Sequence, residues 1–368
     1  MDFKKLGIID PIVKAISDIG YSDATPIQEQ TIPLILSGKD IIGCAQTGTG
    51  KTAAFALPVL QQLAASSRKN TMPRALVLVP TRELAIQIDQ SVAQYRKHIR
   101  LNSLAIFGGV SQVKQVEQLR RGVDFLIATP GRLMDLINQK HVNLSQVHTL
   151  ILDEADNMLD MGFIHDIKRI LKFIPQKRQT LFFSATMPKE IRKFANTILQ
   201  QPAEVNVSPV SSTAEKIVQT VSFVEKKEKA AFLADVLRNT AIAQTLVFTR
   251  TKHGADRLVR ILGKRGIEAA AIHGNKSQNA RQRALANFKS GDVAILIATD
   301  IAARGIDIQE LPFVVNYDLP VDSETYVHRI GRTGRAGKEG RALSLCSEEE
   351  KPILQKIQKL IGFQLPVG

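Results

Sequence analysis

The sequence predicts an α/β protein of two tandem domains, each a mostly parallel sheet flanked by helices. Three observations carry this. The chain has 368 residues, and one domain ordinarily holds about 100–200. Short apolar, β-branched runs alternate with longer helical patterns along the whole length. Strands alternating with helices build parallel sheets covered on both faces. The rhythm breaks at 201–215, where Pro202, Pro209 and Ser211-Ser212-Thr213 stand, as a linker would. The expected domains are therefore 1–207 and 218–368, joined by a linker at 208–217.

The expected strands of the first domain include 40–44, 75–79, 125–128, 149–152 and 180–183. Those of the second include 245–248, 269–272, 294–298, 313–316 and 342–345. Helical stretches lie between them, at 51–63, 252–264 and 279–289 among others. Thr81-Arg82 ends one strand in the first half and Thr249-Arg250 ends one in the second. Ile127-Ala128-Thr129 is likewise matched by Ile297-Ala298-Thr299. Two matches at nearly one offset predict two copies of one fold. Open α/β sheets bind ligands at the carboxyl ends of their strands, so these strand ends are the place to look for a site.

Composition narrows the partners. Apolar residues make up 44%, enough for a core in each domain, while aromatics are only 5% and Trp is absent. An aromatic-rich sandwich or a sugar site is thereby disfavoured. Lys plus Arg number 49 against 35 Asp plus Glu, a net charge of +14, which suits a polyanionic partner such as nucleic acid. A solvated basic surface is the plainer alternative. Cys44 and Cys346 are far apart in apolar surroundings and read as buried free thiols of a reducing compartment. Met1-Asp2-Phe3-Lys4-Lys5 has no apolar signal core, and no apolar run approaches the ~18 residues of a membrane span. A cytoplasmic protein without membrane contact is expected.

Ala45-Gln46-Thr47-Gly48-Thr49-Gly50-Lys51-Thr52 follows a strand and opens a helix. It is a phosphate-binding loop pattern with Ala45 in the first glycine position. Gly48 and Gly50 let backbone N–H groups curl around phosphate oxygens, and the helix aims its positive N-terminal end at the same anion. Lys51 can reach the outer phosphates, and the Thr52 hydroxyl can ligate Mg²⁺. Further on, Leu150-Ile151-Leu152 runs into Asp153-Glu154-Ala155-Asp156. There Asp153 would hold Mg²⁺ through water, and Glu154 would orient and deprotonate an attacking water. A solvated acidic turn is the alternative for this stretch alone. In His328-Arg329-Ile330-Gly331-Arg332-Thr333-Gly334-Arg335 the pair Arg332 and Arg335 sits three apart on one side of a helical turn. Such arginines can stabilise a transferring phosphoryl group, or simply form a basic surface loop.

Together these stretches resemble the DEAD-box ATP-dependent RNA helicases, whose name Asp153-Glu154-Ala155-Asp156 spells. The resemblance runs from about Phe3 to Leu365. It is closest to the bacterial RhlE branch, through the stretches at 160–167 and 273–278. It implies two RecA-like domains, ATP and Mg²⁺ as cofactors, and RNA-dependent ATPase and helicase activity. Gly20-Tyr21-Ser22-Asp23-Ala24-Thr25-Pro26-Ile27-Gln28 is similar to the family's adenine-reading segment. Gln28 would pair with the base edge as amides do with adenine in DNA grooves, and Tyr21 would pack on the base. Phe3 matches an upstream family aromatic or acts as a core staple. The resemblance also assigns Gly305 and Asp307 to the ATP ribose side. It links Asp156 through Ser184 and Thr186 to His328, with an N-cap role for Ser184-Ala185-Thr186 as the alternative.

Loops at several strand ends combine small residues, hydroxyls and one arginine: Pro80-Thr81-Arg82, Gly108-Gly109, Thr129-Pro130-Gly131-Arg132, Arg250, and Thr299-Asp300 with Arg304. Such loops suit phosphate contacts, and by resemblance Gln278 and Arg281 join them. No aromatic stacking row accompanies them, so binding independent of base sequence is expected. The preference for RNA over DNA rests on the resemblance, as do ribosome precursors or RNA-degradation machinery as partners. A monomer is the default. Rival readings are an ATP-gated RNA clamp or annealing chaperone with slow turnover, a DNA translocase, and a phosphate-loop switch. Asn157 stands where many relatives carry a basic residue, which puts one helper contact in doubt.

Overall fold

The computed structural model describes residues 1–46, 48–66, 71–207, 217–239, 244–303, 306, 308, 311–334 and 340–368. The chain divides into two compact units, Met1–Ser208 and Pro209–Gly368. The first holds strands β1 (Ile41–Ala45), β2 (Ala75–Leu78), β3 (Ser103–Ile106), β4 (Phe125–Ala128), β5 (Thr149–Leu152), β6 (Gln179–Ser184) and β7 (Ala203–Val207). The second holds β8 (Ile217–Phe223), β9 (Thr245–Phe248), β10 (Ala270–Ile272), β11 (Ile295–Ala298), β12 (Phe313–Asn316) and β13 (Gly340–Cys346).

The first sheet is ordered β3-β4-β2-β5-β6-β1-β7 and the second β10-β11-β9-β12-β13-β8. Every ladder between these strands is parallel. The second order repeats the first strand for strand, apart from β7. The short sequence echo marks equivalent strands: β2 and β9 precede the Thr-Arg pairs, and β4 and β11 precede the Ala-Thr turns. Both units are thus the RecA-like α/β fold.

Burial explains why the strands read as continuous apolar runs. In β2, Ala75 and Val77 face one apolar cluster while Leu76 and Leu78 face the other. Phe125 and Ile127 of β4 divide in the same way from Leu126 and Ala128. In the second unit Val247 points opposite to Leu246 and Phe248. Helices cover both faces, so the period of two is invisible in hydrophobicity. No helix among the described residues is long and apolar enough to cross a membrane. Cys346 is buried and Cys44 half-buried, both as free thiols.

Two details depart from the sequence reading of the junction. The stretch at 203–207 is strand β7, pairing with β1 at the sheet edge. Only Val205 of it is buried, with Glu204 and Asn206 exposed, so its composition reads as loop. Ile217, placed in the linker, opens β8. The remaining linker positions, 208–216, lie outside the described residues.

The second unit encloses a buried ion-pair network around Glu350. Lys229 is buried and donates to the carbonyls of Tyr317 (2.8 Å) and Leu345 (2.8 Å) and to Glu350 Oε2. Glu350 also accepts from the Ser347 N–H (3.0 Å) and hydroxyl (2.9 Å), the Leu319 N–H (3.1 Å) and the Arg250 guanidinium (3.2 Å). Burial alone would raise this carboxyl. The Lys229 and Ser347 donors outweigh it and hold Glu350 below its ordinary value of 4.5. A depressed carboxylate contributes stability above its unfolded value and loses it as pH falls through the folded one. Glu350→Gln is therefore expected to cost about 3 kcal/mol at pH 7, because Lys229 is left as a buried unpaired cation. The deficit should shrink below about pH 4.5. Urea unfolding of both proteins at pH 7 and pH 4 checks this, and an equal deficit at both would contradict it.

Candidate nucleotide and nucleic-acid site

Because the strands are parallel, their carboxyl ends share one edge of each sheet, and the chemistry-bearing loops of the first unit lie along it. After β1 the chain turns at Gly48 (φ +84°) and Gly50 (φ +94°) into the helix Lys51–Ala65. Both angles are left-handed, a region costly for other residues. Space makes the same demand at Gly50, where an added methyl would overlap the Gln28 amide. Lys51 is buried and its ammonium donates to the Ala45 carbonyl at 2.9 Å. The Thr49 hydroxyl donates to the Gln46 carbonyl (2.7 Å), so the loop is closed on itself. Thr47 lies outside the described residues.

Gln28 and Thr25, on and before the helix Pro26–Leu36, clasp this loop from outside. The Thr25 hydroxyl donates to the Thr49 carbonyl at 2.8 Å and Gln28 Nε2 to the Gly50 carbonyl at 3.1 Å. Gln28 Oε1 accepts from the Thr25 N–H at 2.9 Å. The Gln28 amide, expected at a base edge, is thus buried and joined at both ends to its own unit. An amide has two N–H groups and two acceptor positions, so one of each remains. Tyr21 is more than a third exposed. Its ring stacks on Phe3 (6.5 Å between centroids) and its hydroxyl meets that of Tyr95 at 3.2 Å. Phe3 is a buried core residue and also the backing of Tyr21.

Asp153, Glu154 and Asp156 follow β5 and are all buried. Burial pushes the Asp153 carboxyl up, opposed by the Lys51 ammonium and the Glu154 N–H, which donates to Asp153 Oδ1 at 2.9 Å. Glu154 adopts φ +53°, ψ +50°, ahead of the helix Ala155–Asp160. That left-handed conformation costs a non-glycine residue on the order of 1 kcal/mol and recurs at functional sites. Asn157 Nδ2 donates to Glu154 Oε2 at 3.0 Å. Asp156 Oδ2 accepts from the N–H groups of Ala185 (3.1 Å) and Thr186 (2.9 Å) and from the Thr186 hydroxyl (3.0 Å). Its own N–H donates to the Ser184 hydroxyl at 3.2 Å. Cys44 Sγ meets the Ala185 carbonyl at 3.5 Å.

The donors here suit Mg²⁺. A Thr52 hydroxyl and an Asp153 carboxylate are hard oxygen ligands, and Mg²⁺ takes few protein ligands beside substrate phosphates and water. No group of three or more His, Cys, Asp or Glu among the described residues forms a metal cage.

In the second unit Arg332 is buried and Nη1 donates to the Ile306 carbonyl at 2.7 Å. With His328, Arg329, Phe248 and Asp300 it lines a small pocket. The turn carrying it is pinned to Leu311, ahead of β12, by the Leu311 N–H to the Arg332 carbonyl (3.1 Å) and by the Thr333 hydroxyl to the Leu311 carbonyl. Arg304, Gly305, Asp307 and Arg335 lie outside the described residues.

Some expected strand-contacting residues are turned inward. Both Asp300 oxygens pair with Arg329 (2.6 and 2.8 Å), which also stacks on Phe248 and donates to Asn316 and the Asp318 carbonyl. The Asp300 carboxylate is thereby committed to its own unit, as suits an anion that phosphate would repel. Arg132 donates to Gln115 Oε1 and the Val110 carbonyl (both 3.1 Å), bracing the Gly108-Gly109 loop. Thr81 is buried and its hydroxyl accepts from the Leu84 N–H, capping the helix Arg82–Tyr95. Pro80, Thr129 and Pro130 are buried too. The surface left to a strand is mainly Gly109, Gly131 and Arg250, which are exposed, and Arg82, Gly108, Arg281 and Thr299, which are partly exposed. Gln278 is buried. Arg82 packs where a Gly109 side chain would be, and Gly109 has φ +75°. Gln115, Asn157, Arg329 and Glu350, which orient these groups, were not assigned roles from the sequence. No spacing marks a second contact layer.

The chain is similar in sequence and fold to known proteins. The profile of DEAD/DEAH box helicases matches residues 25–194, and that of the helicase conserved C-terminal domain matches 228–337. The chain is 46% identical to the ATP-dependent RNA helicase CshA of Listeria monocytogenes, over 97% of this chain and 68% of that one. It is 40% identical to the DEAD-box ATP-dependent RNA helicase RhpA of Helicobacter pylori, over 99% and 73%. Among solved structures it superposes on Saccharomyces cerevisiae Dbp5 bound to RNA and ADP BeF3 with a TM-score of 0.88 and 32% identity, covering 99% of this chain and 95% of that one. A DEAD box protein from Methanococcus jannaschii gives a TM-score of 0.56 at 37% identity, covering 100% and 99%.

The Gly50 geometry has a direct consequence. Gly50→Ala is expected to weaken nucleotide binding at least about tenfold, since both the left-handed angle and the Gln28 clasp must give. Fluorescent-nucleotide titration with a melting-temperature control checks it. Unchanged affinity would contradict the clasp.

Proposed function

This chain belongs to the DEAD/DEAH box helicase family, and on that premise we propose that it is an ATP-dependent RNA helicase. It binds single-stranded RNA along the backbone and opens short duplexes locally, driven by Mg²⁺-dependent ATP hydrolysis. One observation carries the reading: an ammonium and three carboxylates are buried at the carboxyl ends of parallel strands, beside a glycine-hinged loop. Buried charge is costly unless it is paired or put to use.

In the proposed mechanism Lys51 exchanges its neutral acceptor, the Ala45 carbonyl, for the outer phosphate oxygens. Ala45, Gln46, Thr47, Gly48, Thr49 and Gly50 wrap the phosphates. Thr52 and Asp153 would hold Mg²⁺, Asp153 through water, and the bound ion would supply positive charge beside the transferring phosphoryl group. Glu154 takes the proton of the attacking water. Tyr21 packs on the base, and the spare donor and acceptor of Gln28 read its edge. Gly305, Asp307, Arg332 and Arg335 of the second unit are proposed as further contacts to ATP, which for Arg332 means leaving the Ile306 carbonyl. ATP then favours the state in which both units hold it, and hydrolysis releases that state. Asp156, Ser184, Thr186 and His328 would couple this change to the strand-binding loops.

RNA is proposed to lie along Arg82, Gly108, Gly109, Gly131, Arg250, Arg281, Thr299 and Arg304, through main-chain N–H groups and guanidinium ions. We place the chain in the RhlE branch on residues 160–167 and 273–278. A cytoplasmic monomer acting on ribosome precursors or with RNA-degradation machinery is the physiological setting proposed. The domain division proposed is 1–207, 208–217 and 218–368.

ATPase assays with and without single-stranded RNA test the reading. RNA is expected to stimulate hydrolysis by the parental protein. Lys51→Ala should lose ATP binding and turnover together. Glu154→Gln should bind ATP within about threefold of the parent and lose turnover at least about 100-fold. Parental hydrolysis by Glu154→Gln would remove Glu154 as the base. RNA affinity should fall more than tenfold between about 50 and 200 mM salt, since roughly three or four phosphate contacts give a single-strand slope near −0.7 each. Affinity insensitive to salt would contradict the backbone track.

A further inference from the structure

The acidic stretch after β5 has one neighbour that the helicase reading leaves without a task. Asn157 is one helical turn below Glu154, at the i+3 position that shares its face. Its Nδ2 donates to Glu154 Oε2 at 3.0 Å, and its backbone N–H donates to Asp156 Oδ1 at 3.0 Å. One residue therefore touches two of the three buried carboxylates.

The amide could not serve as well the other way round. Turning it would set Oδ1 against the Glu154 carboxylate, oxygen against oxygen, so the donor orientation is the one the site allows. In that orientation Asn157 Oδ1 is buried and has no protein partner. A buried acceptor left without a partner works against folding. Asn157 is thus poorly explained as a helix stabiliser, and its value lies on the donor side.

The backbone says why a donor is needed there. Glu154 enters the helix Ala155–Asp160 from a left-handed conformation (φ +53°, ψ +50°), with its carbonyl accepting from the Met158 N–H at 3.0 Å. This fixes where the side chain begins. Glutamate still has three side-chain torsions, and a base must hold one carboxylate oxygen toward water within hydrogen-bond reach. A charge-assisted bond to Oε2 fixes the carboxylate plane.

We infer that Asn157 is a positioning residue for the general base, holding the Glu154 carboxylate in its working orientation by the Nδ2–Oε2 hydrogen bond. The inference rests on Glu154 being that base. Asn157 touches neither nucleotide nor RNA in this scheme and acts only through Glu154.

The test compares Asn157→Ala, which removes the donor, and Asn157→Asp, which is isosteric and sets a carboxylate against Glu154. Each is measured beside Glu154→Gln for kcat of RNA-stimulated ATP hydrolysis, for the dissociation constant of a fluorescent ATP analogue, and for melting temperature. The expected result is a kcat loss of about tenfold for Ala and more for Asp, with nucleotide affinity within about twofold of the parent. The inference is overturned if both variants keep the parental kcat while Glu154→Gln is inactive. It is also overturned if affinity falls in step with kcat, which would mark a merely structural role. If Glu154→Gln itself hydrolyses normally, the base assignment fails first, whatever the Asn157 variants do.

Discussion

Burial of like charges governs the first unit. Asp153, Glu154 and Asp156 lie within four residues and are all removed from water. They repel one another, and each pays a desolvation cost that only donors or a cation can offset. The surrounding structure supplies those donors one by one. Asp156 takes the main-chain and hydroxyl donors of 185–186, Asp153 takes the Glu154 N–H and the field of Lys51, and Glu154 takes Asn157. Asp153 remains pushed up by its burial. A divalent cation would supply the missing positive charge, which is why this cluster reads as a hydrolytic site and not as a structural ion-pair network.

The second unit shows the contrasting case. Lys229 and Glu350 are also buried, but their donors and acceptors are satisfied within the unit by Tyr317, Leu345, Leu319 and Ser347. Nothing there calls for an added ion. Its output is indirect: Glu350 fixes one side of the exposed Arg250 guanidinium. At the neighbouring strand, the bidentate pair of Arg329 with Asp300 locks the chain after β11 to the helix Ser323–Ile330. The repeated sheet order gives both units the same set of strand ends, and the difference in function comes from what each loop carries.

Much of this was legible in the residues. The phosphate loop was readable because glycine, lysine and threonine have few alternative uses at that spacing, and both Gly48 and Gly50 do adopt left-handed angles. The duplication was legible from two tripeptide-scale echoes, which fall on equivalent strands. Strand β7 was hidden because an edge strand with Glu204 and Asn206 outward has the composition of a loop. Buried assignments were the least legible. Asp300, Arg132 and Thr81 have the residue types of a strand-binding surface, yet partners distant in sequence draw their side chains inward. Asn157 and Gln28 act through hydrogen bonds whose partners only the fold reveals.

Nucleotide binding is proposed to be coupled to RNA binding. Binding linkage tests it most directly. Affinity for a fluorescent single-stranded RNA is measured with no nucleotide, with ADP and with a non-hydrolysable ATP analogue, and affinity for the analogue with and without RNA. The analogue is expected to tighten RNA binding at least about tenfold over the nucleotide-free protein, and RNA to tighten the analogue by that same factor. Equal RNA affinity in all three nucleotide states would contradict it.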